Sequence, residues 1–253
     1  MKKTLSVLLV LLISVLIVGC NKNQNNQNPN TKNNQEITKL DESKEWVYSA
    51  NYEANTTVTS YTTLNEEIKE LNDLKAPYIN VNSETAKFAN ENIKTIYDEA
   101  VFEFNQGLED KITFAELDYK SNVTDEYISV LMSFGIGGTD VIDPKYYSYN
   151  ISLKDGSNIS FQEAYKMINI TDSEIDNKVE EAIKNYMIKE LNIKSVDDYQ
   201  TYIDESINNY YASINNNDII FYINEQKEIE IMVTISIPAG KGTTNSLINI
   251  KKL

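Results

Sequence analysis

Tyr146-Tyr147-Ser148-Tyr149-Asn150-Ile151-Ser152-Leu153-Lys154-Asp155-Gly156-Ser157 decides the fold class. Six of its first nine residues are aromatic, β-branched or small, and the nine read as a strand. Asp-Gly then supplies a residue that reaches positive φ without strain, so the strand stops in a tight turn. The next segment is helical. Ser160 to Ile168 reads as a short helix, and Thr171-Asp172-Ser173-Glu174 is a capping box opening a longer one with Ile175, Val179, Ala182, Ile183, Tyr186 and Leu191 on one face.

Moving back along the chain, two more strand-like runs precede the first: Lys111 to Lys120 and Tyr127 to Gly135. Before them, Glu84 to Asn105 places Ala86, Ala89, Ile93, Ile96, Tyr97, Ala100, Val101 and Phe104 at helical spacing, with Gly107 as the stop. Pro77 to Val81 is a short strand leading into a cap at Asn82 or Ser83. Glu45 to Tyr52 alternates like an edge strand, and Thr56 to Tyr61 is β-branched and extended. Moving forward, a more polar helix covers about Val196 to Tyr210. Ile219–Ile223 and Glu228–Ile237 are strands around a turn at Asn224 to Lys227. Ile237 to Thr244 then reads as a glycine-bearing surface loop. Strand pairs alternate with helices without regular βαβ units, which predicts an α+β fold with antiparallel sheets. The expected organisation is two small halves, residues 41–140 and 141–253. Each is a sheet packed with helices, a β-α-β-β unit followed by a sheet-and-helix unit.

The first forty residues carry an address. Lys2 and Lys3 precede an apolar run from Leu5 to Val18, too short for a comfortable membrane span, which ends in Leu16-Ile17-Val18-Gly19-Cys20. Residues 1–19 read as a signal peptide and Gly19-Cys20 as a bacterial lipobox. The small residue admits the peptidase, and the Cys20 thiol carries a diacylglycerol. Residues 20–40, with Asn21 to Glu36 almost devoid of apolar side chains, form a linker of roughly 20 Å reach. The expected location is the outer face of the cytoplasmic membrane of a Gram-positive bacterium, with the membrane as a partner through lipid on Cys20.

The chemistry is bounded by what the sequence lacks. The chain has no histidine and one cysteine, Cys20. Ser-His-Asp and Cys-His catalysis, the usual zinc ligand sets and an internal disulfide are excluded together. A formal net charge of −15 repels nucleic acid and other polyanions and favours a cationic partner. No cofactor and no metal is expected, and no enzyme activity. Phe134-Gly135-Ile136-Gly137-Gly138-Thr139-Asp140 lacks the Gly-Lys-Ser/Thr of a phosphate loop. Asp140 and Asp143 do not match the twelve-residue calcium loop. Candidate ligand contacts are Gly137, Gly138 and Asp140 in this loop and Tyr146, Tyr147 and Tyr149 after it. Alternation sets Tyr147 and Tyr149 on one face and Tyr146 on the other. Tyrosines stack on sugars and anchor protein interfaces, and they also fill cores.

The order of pieces resembles one family. It runs from Pro77-Tyr78-Ile79-Asn80 through a long helix and the Gly-rich loop to Tyr147–Gly156, then a helix pair and Ile235-Ser236-Ile237-Pro238-Ala239-Gly240. The family is the extracellular module found beside Gram-positive peptidoglycan deacetylase domains and in a lysozyme-sensing anti-sigma factor. The resemblance implies two α+β halves and binding of lysozyme or another cationic protein, or of a wall glycan. The chain departs from the family in its Gly-Ile-Gly-Gly-Thr-Asp loop, where a histidine is expected, and in lacking a deacetylase domain. A carboxylate-dependent peptidoglycan-modifying enzyme and an accessory lipoprotein that positions a partner are the alternative readings.

Overall fold

The computed structural model describes residues 37–52, 60–62, 68–70, 74–110, 114–137, 144–190, 196–238 and 242–250. Residues 1–36, with Cys20 and most of the expected linker, Thr56 to Thr59, and the loop with Gly138, Asp140 and Asp143 lie outside them, whereas Ile37, at the end of that linker, packs against the first core.

Strands β1 (Val47–Ser49) and β4 (Pro77–Ile79) pair antiparallel, as do β2 (Ser60–Thr62) and β3 (Ile68–Glu70). Helix α1 spans Glu84–Asp110. It starts where Ser83 Oγ accepts the Ala86 N–H at 3.1 Å, so an orphan amide of the first turn is satisfied. Its expected stripe, Ala86, Ala89, Ile93, Ile96, Tyr97, Ala100 and Val101, is buried; the side chain of Phe104 lies outside the described residues. Gly107 does not end the helix, which continues to Asp110. A glycine inside a helix costs only about 1 kcal/mol, and no proline follows to enforce a stop.

The stripe rests on a sheet of order β5-β6-β7, formed by β5 (Phe114–Val123), β6 (Tyr127–Gly137) and β7 (Lys145–Ser152). Leu117, Ile128, Val130, Met132, Phe134 and Ile151 point at α1 and close the first core with Ile79, Val81 and Ile93. β7 lies beyond 140/141, the boundary expected between the halves, yet it is the third strand of this sheet along its whole length. Apart from Tyr127 of β6, which packs into the second core, the two cores divide between Ile151 and Ile159, across the turn at Asp155-Gly156. Gly156 has φ +70° there, the left-handed region that favours glycine.

The second core starts with α2 (Phe161–Met167), capped reciprocally by Ser160 and Glu163. The Thr171–Glu174 box precedes α3 (Ile175–Glu190), with the Glu174 carboxylate accepting from Thr171 N at 2.8 Å and Oγ1 at 2.6 Å. Helix α4 (Val196–Asn215) follows, running past Tyr210, and then a sheet of order β10-β9-β8: β8 (Phe221–Ile223), β9 (Ile229–Ser236) and β10 (Thr243–Ile250). Ile175, Val179, Ile183, Met187, Ile203, Tyr210, Ile229, Ile231, Val233, Ile235, Ile248 and Ile250 fill the space between helices and sheet. At roughly 1.5–3 kcal/mol per buried aliphatic side chain, such burial is the main term opposing chain entropy where no disulfide exists. The architecture is α+β with antiparallel sheets.

β10 is the element that the sequence reading passes over. Its first two residues, Thr243 and Thr244, fall in the stretch expected to be a loop. In the structure they begin a ladder pairing Thr243 with Ser236 through to Ile250 with Ile229.

The halves meet along a polar seam. β8 gives its even residues to β9 and its neighbours, as Met232 N→Ile220 O and Asn224 N→Glu228 O show. That leaves Phe221 and Ile223 with N–H and C=O directed away from their own sheet. Four side chains from the face of the β5-β6-β7 sheet satisfy these groups. Ser148 Oγ accepts Phe221 N at 3.3 Å, and Asn150 Nδ2 donates to Phe221 O at 3.1 Å. Ser129 Oγ accepts Ile223 N at 2.9 Å, and Asn122 Nδ2 donates to Ile223 O at 3.1 Å. A strand edge is thus paired with a row of side chains instead of another strand, which meets the requirement that buried backbone polar groups be hydrogen-bonded.

Candidate functional site

β7 presents its two faces to different surroundings. Ser148 and Asn150 face β8, and Tyr146 shares their face by alternation; it is half-buried and has contacts of its own. Tyr147 and Tyr149 point to the α1 side, packed half-buried against the first core. The face assignment made from alternation therefore stands, and these two rings are neither fully core nor free surface. Tyr149 donates its hydroxyl to Asn92 Oδ1 of α1 at 2.6 Å. Burial drives its phenol well above the ordinary tyrosine range, and burial also raises Tyr147. At the start of β7, Lys145 Nζ sits 3.5 Å from the Glu99 carboxylate of α1 and over the Phe134 ring at 5.9 Å. Asn92 and Glu99 thus bind β7 to one face of α1.

A second aromatic group, not singled out from the sequence, borders the other side of α1. Tyr48 and Tyr78 stack with centroids 5.3 Å apart, and Tyr52 leans on Tyr97 at 5.1 Å. Lys94 of α1 lies 5.6 Å over the Tyr52 ring while bonding the Asp98 carboxylate at 2.5 and 2.6 Å. The Tyr52 hydroxyl is buried with no partner among the described residues, and burial pushes its pKa to about 12. Lys39 and Lys44 lie over Trp46 and Tyr48 at 5.3 and 6.0 Å. Trp46, Tyr48 and Tyr52 share one short alternating stretch, and that is the signal the sequence holds. The surface this stretch packs against is set by the fold alone.

Of the remaining candidates, Gly137 is the last residue of β6, opposite Phe114; Gly138 and Asp140 lie outside the described residues. Among the described residues no group of three carboxylates, histidines or cysteines is placed to hold a metal ion, and no helix is long and apolar enough to cross a membrane. Every described carboxyl with a displaced pKa is lowered. Asp172 falls to about 2 because the Tyr165 hydroxyl, Lys166 and Gln162 bond its anion, and Asp41, Asp155, Glu163 and Glu174 are lowered by serine or threonine groups at turns and caps. Such groups stabilise the carboxylate; a general acid needs the reverse.

No known family's sequence profile matches the chain, and no curated protein or solved structure shows significant similarity to it.

Proposed function

We propose that the chain is an envelope lipoprotein, anchored by diacylglycerol on Cys20 at the outer face of a Gram-positive cytoplasmic membrane. Its folded part is a non-catalytic module that binds a cationic protein such as lysozyme. The observation that carries this reading is the surface where β7 meets α1. There Tyr147 and Tyr149 offer half-buried rings, Tyr149 held by its bond to Asn92, next to a helix bearing Glu84, Glu91, Asp98, Glu99 and Glu103 against Lys87 and Lys94. Aromatic rings pre-positioned in this way lose little side-chain entropy on binding, and an acidic surround steers a basic protein and fixes its orientation. The chain's charge of −15 and its lack of histidine point the same way.

The test is calorimetric titration of the full chain with lysozyme at low and high salt. Saturable one-to-one binding that persists when salt shortens the screening length to a few ångströms supports a specific interface. Heat that disappears with modest salt reduces the interaction to charge attraction and overturns it. Turnover of peptidoglycan by the purified protein would overturn the non-catalytic reading.

A further inference from the structure

Phe88 and Phe102 are the two most exposed large apolar side chains among the described residues, at 72% and 59%. Both are on α1, and their positions are not independent. Fourteen residues at 100° each bring Phe102 to within about 40° of Phe88 around the helix, some 21 Å further along it. The buried stripe, centred on Ile93 and Ala100, lies on the opposite side. Between the two rings, on the same outward strip, lie Glu91, Thr95, Asp98 and Glu99, all exposed. The strip is continuous with the surface where β7 meets α1: Asn92, which holds Tyr149, follows Phe88 by one turn, and Glu99, which holds Lys145, precedes Phe102 by one turn.

Folding alone does not account for this pattern. A helix that needs only a solvated outer face has no use for two phenylalanines there, and each exposes apolar area that water disfavours. The acids between them outnumber the lysines that pair with them, Lys94 on Asp98 and Lys145 on Glu99, so the strip stays net negative and disfavours a second acidic copy of this helix and an anionic bilayer. A partner satisfying both features carries apolar side chains at the ends of a 21 Å rod and positive charge between them. A basic amphipathic helix has that form, because its rise per residue equals that of α1.

We propose that the outward face of α1, from Phe88 to Phe102, docks a cationic amphipathic helix of the binding partner. This rests on the function proposed above and names the surface and the partner's secondary structure. In the complex the two phenylalanines supply the buried anchors and Glu91 faces a lysine or arginine, Asp98 and Glu99 being already bridged to Lys94 and Lys145.

The test uses the full chain and two synthetic peptides of about eighteen residues built from lysine and leucine, long enough to span the strip. One is patterned as an amphipathic helix; the other is a scramble of identical composition. Binding is read by fluorescence anisotropy at roughly 0.15 M salt, where surface charge attraction is largely screened. The expected result is saturable binding of the patterned peptide, at least about tenfold tighter than the scramble. Combining Phe88→Ser and Phe102→Ser should weaken it by about tenfold or more, the usual effect of removing interface anchors. Both side chains are exposed, so the variant should keep its circular dichroism and melting point, which are measured alongside. Equal binding of the two peptides, or undiminished binding by the double variant, overturns the proposal. Lysozyme titrated against the same double variant separates the two claims. Binding retained there leaves the cationic-protein reading intact and removes only this face, whereas no binding even to the unaltered chain removes the reading itself.

Discussion

The side-chain amide of Asn122 in β5 donates to the carbonyl oxygen of Ile223 in β8, 101 residues further along the chain. The same nitrogen reaches the Asn224 carbonyl at 2.9 Å, and Asn122 is buried. One amide therefore serves the Ile223 carbonyl, on an edge that has no neighbouring strand, and the Asn224 carbonyl of the turn after it, which also accepts the Lys227 N–H. It does so from the half of the molecule that does not contain that edge.

Asn122→Ala should destabilise the protein by about 1–3 kcal/mol, the cost of leaving the buried Ile223 carbonyl without its donor. Urea denaturation followed by circular dichroism measures it. A loss below about 0.5 kcal/mol, within the range of ordinary surface substitutions, would show that water replaces the amide and that the seam is not closed by this side chain.

Gly156→Ala should cost about as much for a different reason. The backbone holds φ +70°, and an added Cβ would lie 2.6 Å from Ser83 Cβ and 3.0 Å from Ile37 Cδ1. Strain at positive φ is about 1–3 kcal/mol, and the contact with Ser83, which caps α1, adds to it. A melting temperature equal to that of the unaltered chain would contradict this geometry.

Alkaline pH should unfold the protein between about pH 10 and pH 12. Burial holds Tyr52, Tyr165, Tyr211 and Tyr222 near 12, above the ordinary value of 10.0. A pKa raised by folding means that the native state prefers the neutral phenol. The contribution is fully present below pH 10 and is lost as pH rises through the folded value. Ultraviolet difference absorbance should show an early group of exposed tyrosines ionising reversibly, then the buried group ionising together with loss of circular dichroism. Ionisation of every tyrosine near pH 10 with the fold intact would refute it.

Cys20→Ser should abolish incorporation of labelled palmitate and release the protein from membranes into the medium, with the folded part unchanged. Continued membrane retention of the variant would place the anchor in the apolar residues 5–18 instead.

Much of this fold could be read along the chain. The 3.6-residue recurrence of apolar side chains located α1 and α3, and the Thr171–Glu174 box placed the start of a helix because capping involves only neighbouring residues. The Asp155-Gly156 turn and the alternation that separates Tyr147 and Tyr149 from Tyr146 are equally local. The misreadings were also local in origin. Thr243–Ile250 has polar residues at most positions, with Ser246 buried, so its alternation is faint and only the ladder with β9 makes it a strand. Gly107 looked like a stop because propensity is a small term, and α1 carries through it.

The candidate site was legible by residue type but not by environment. Tyrosines on β7 were visible; that Tyr149 would be held by Asn92, 57 residues earlier, was not. The asparagines gave no hint of their work: Asn90 clasps both backbone groups of Ile79 at 2.8 Å, and Asn122 and Asn150 close the edge of β8. An asparagine in a linker and one that completes a buried strand edge are the same residue in a sequence.

The sequence by itself determined the absence of histidine, the acidic balance and the class of most elements, because each depends on composition or on contacts within a few residues. Only the tertiary structure decided which strand edges are closed by side chains, where the two cores divide, how deeply the tyrosines sit and which apolar rings stay outside. Those outcomes depend on pairs up to a hundred residues apart, and the hydrogen bonds and buried areas that choose between them exist only after the chain has closed on itself.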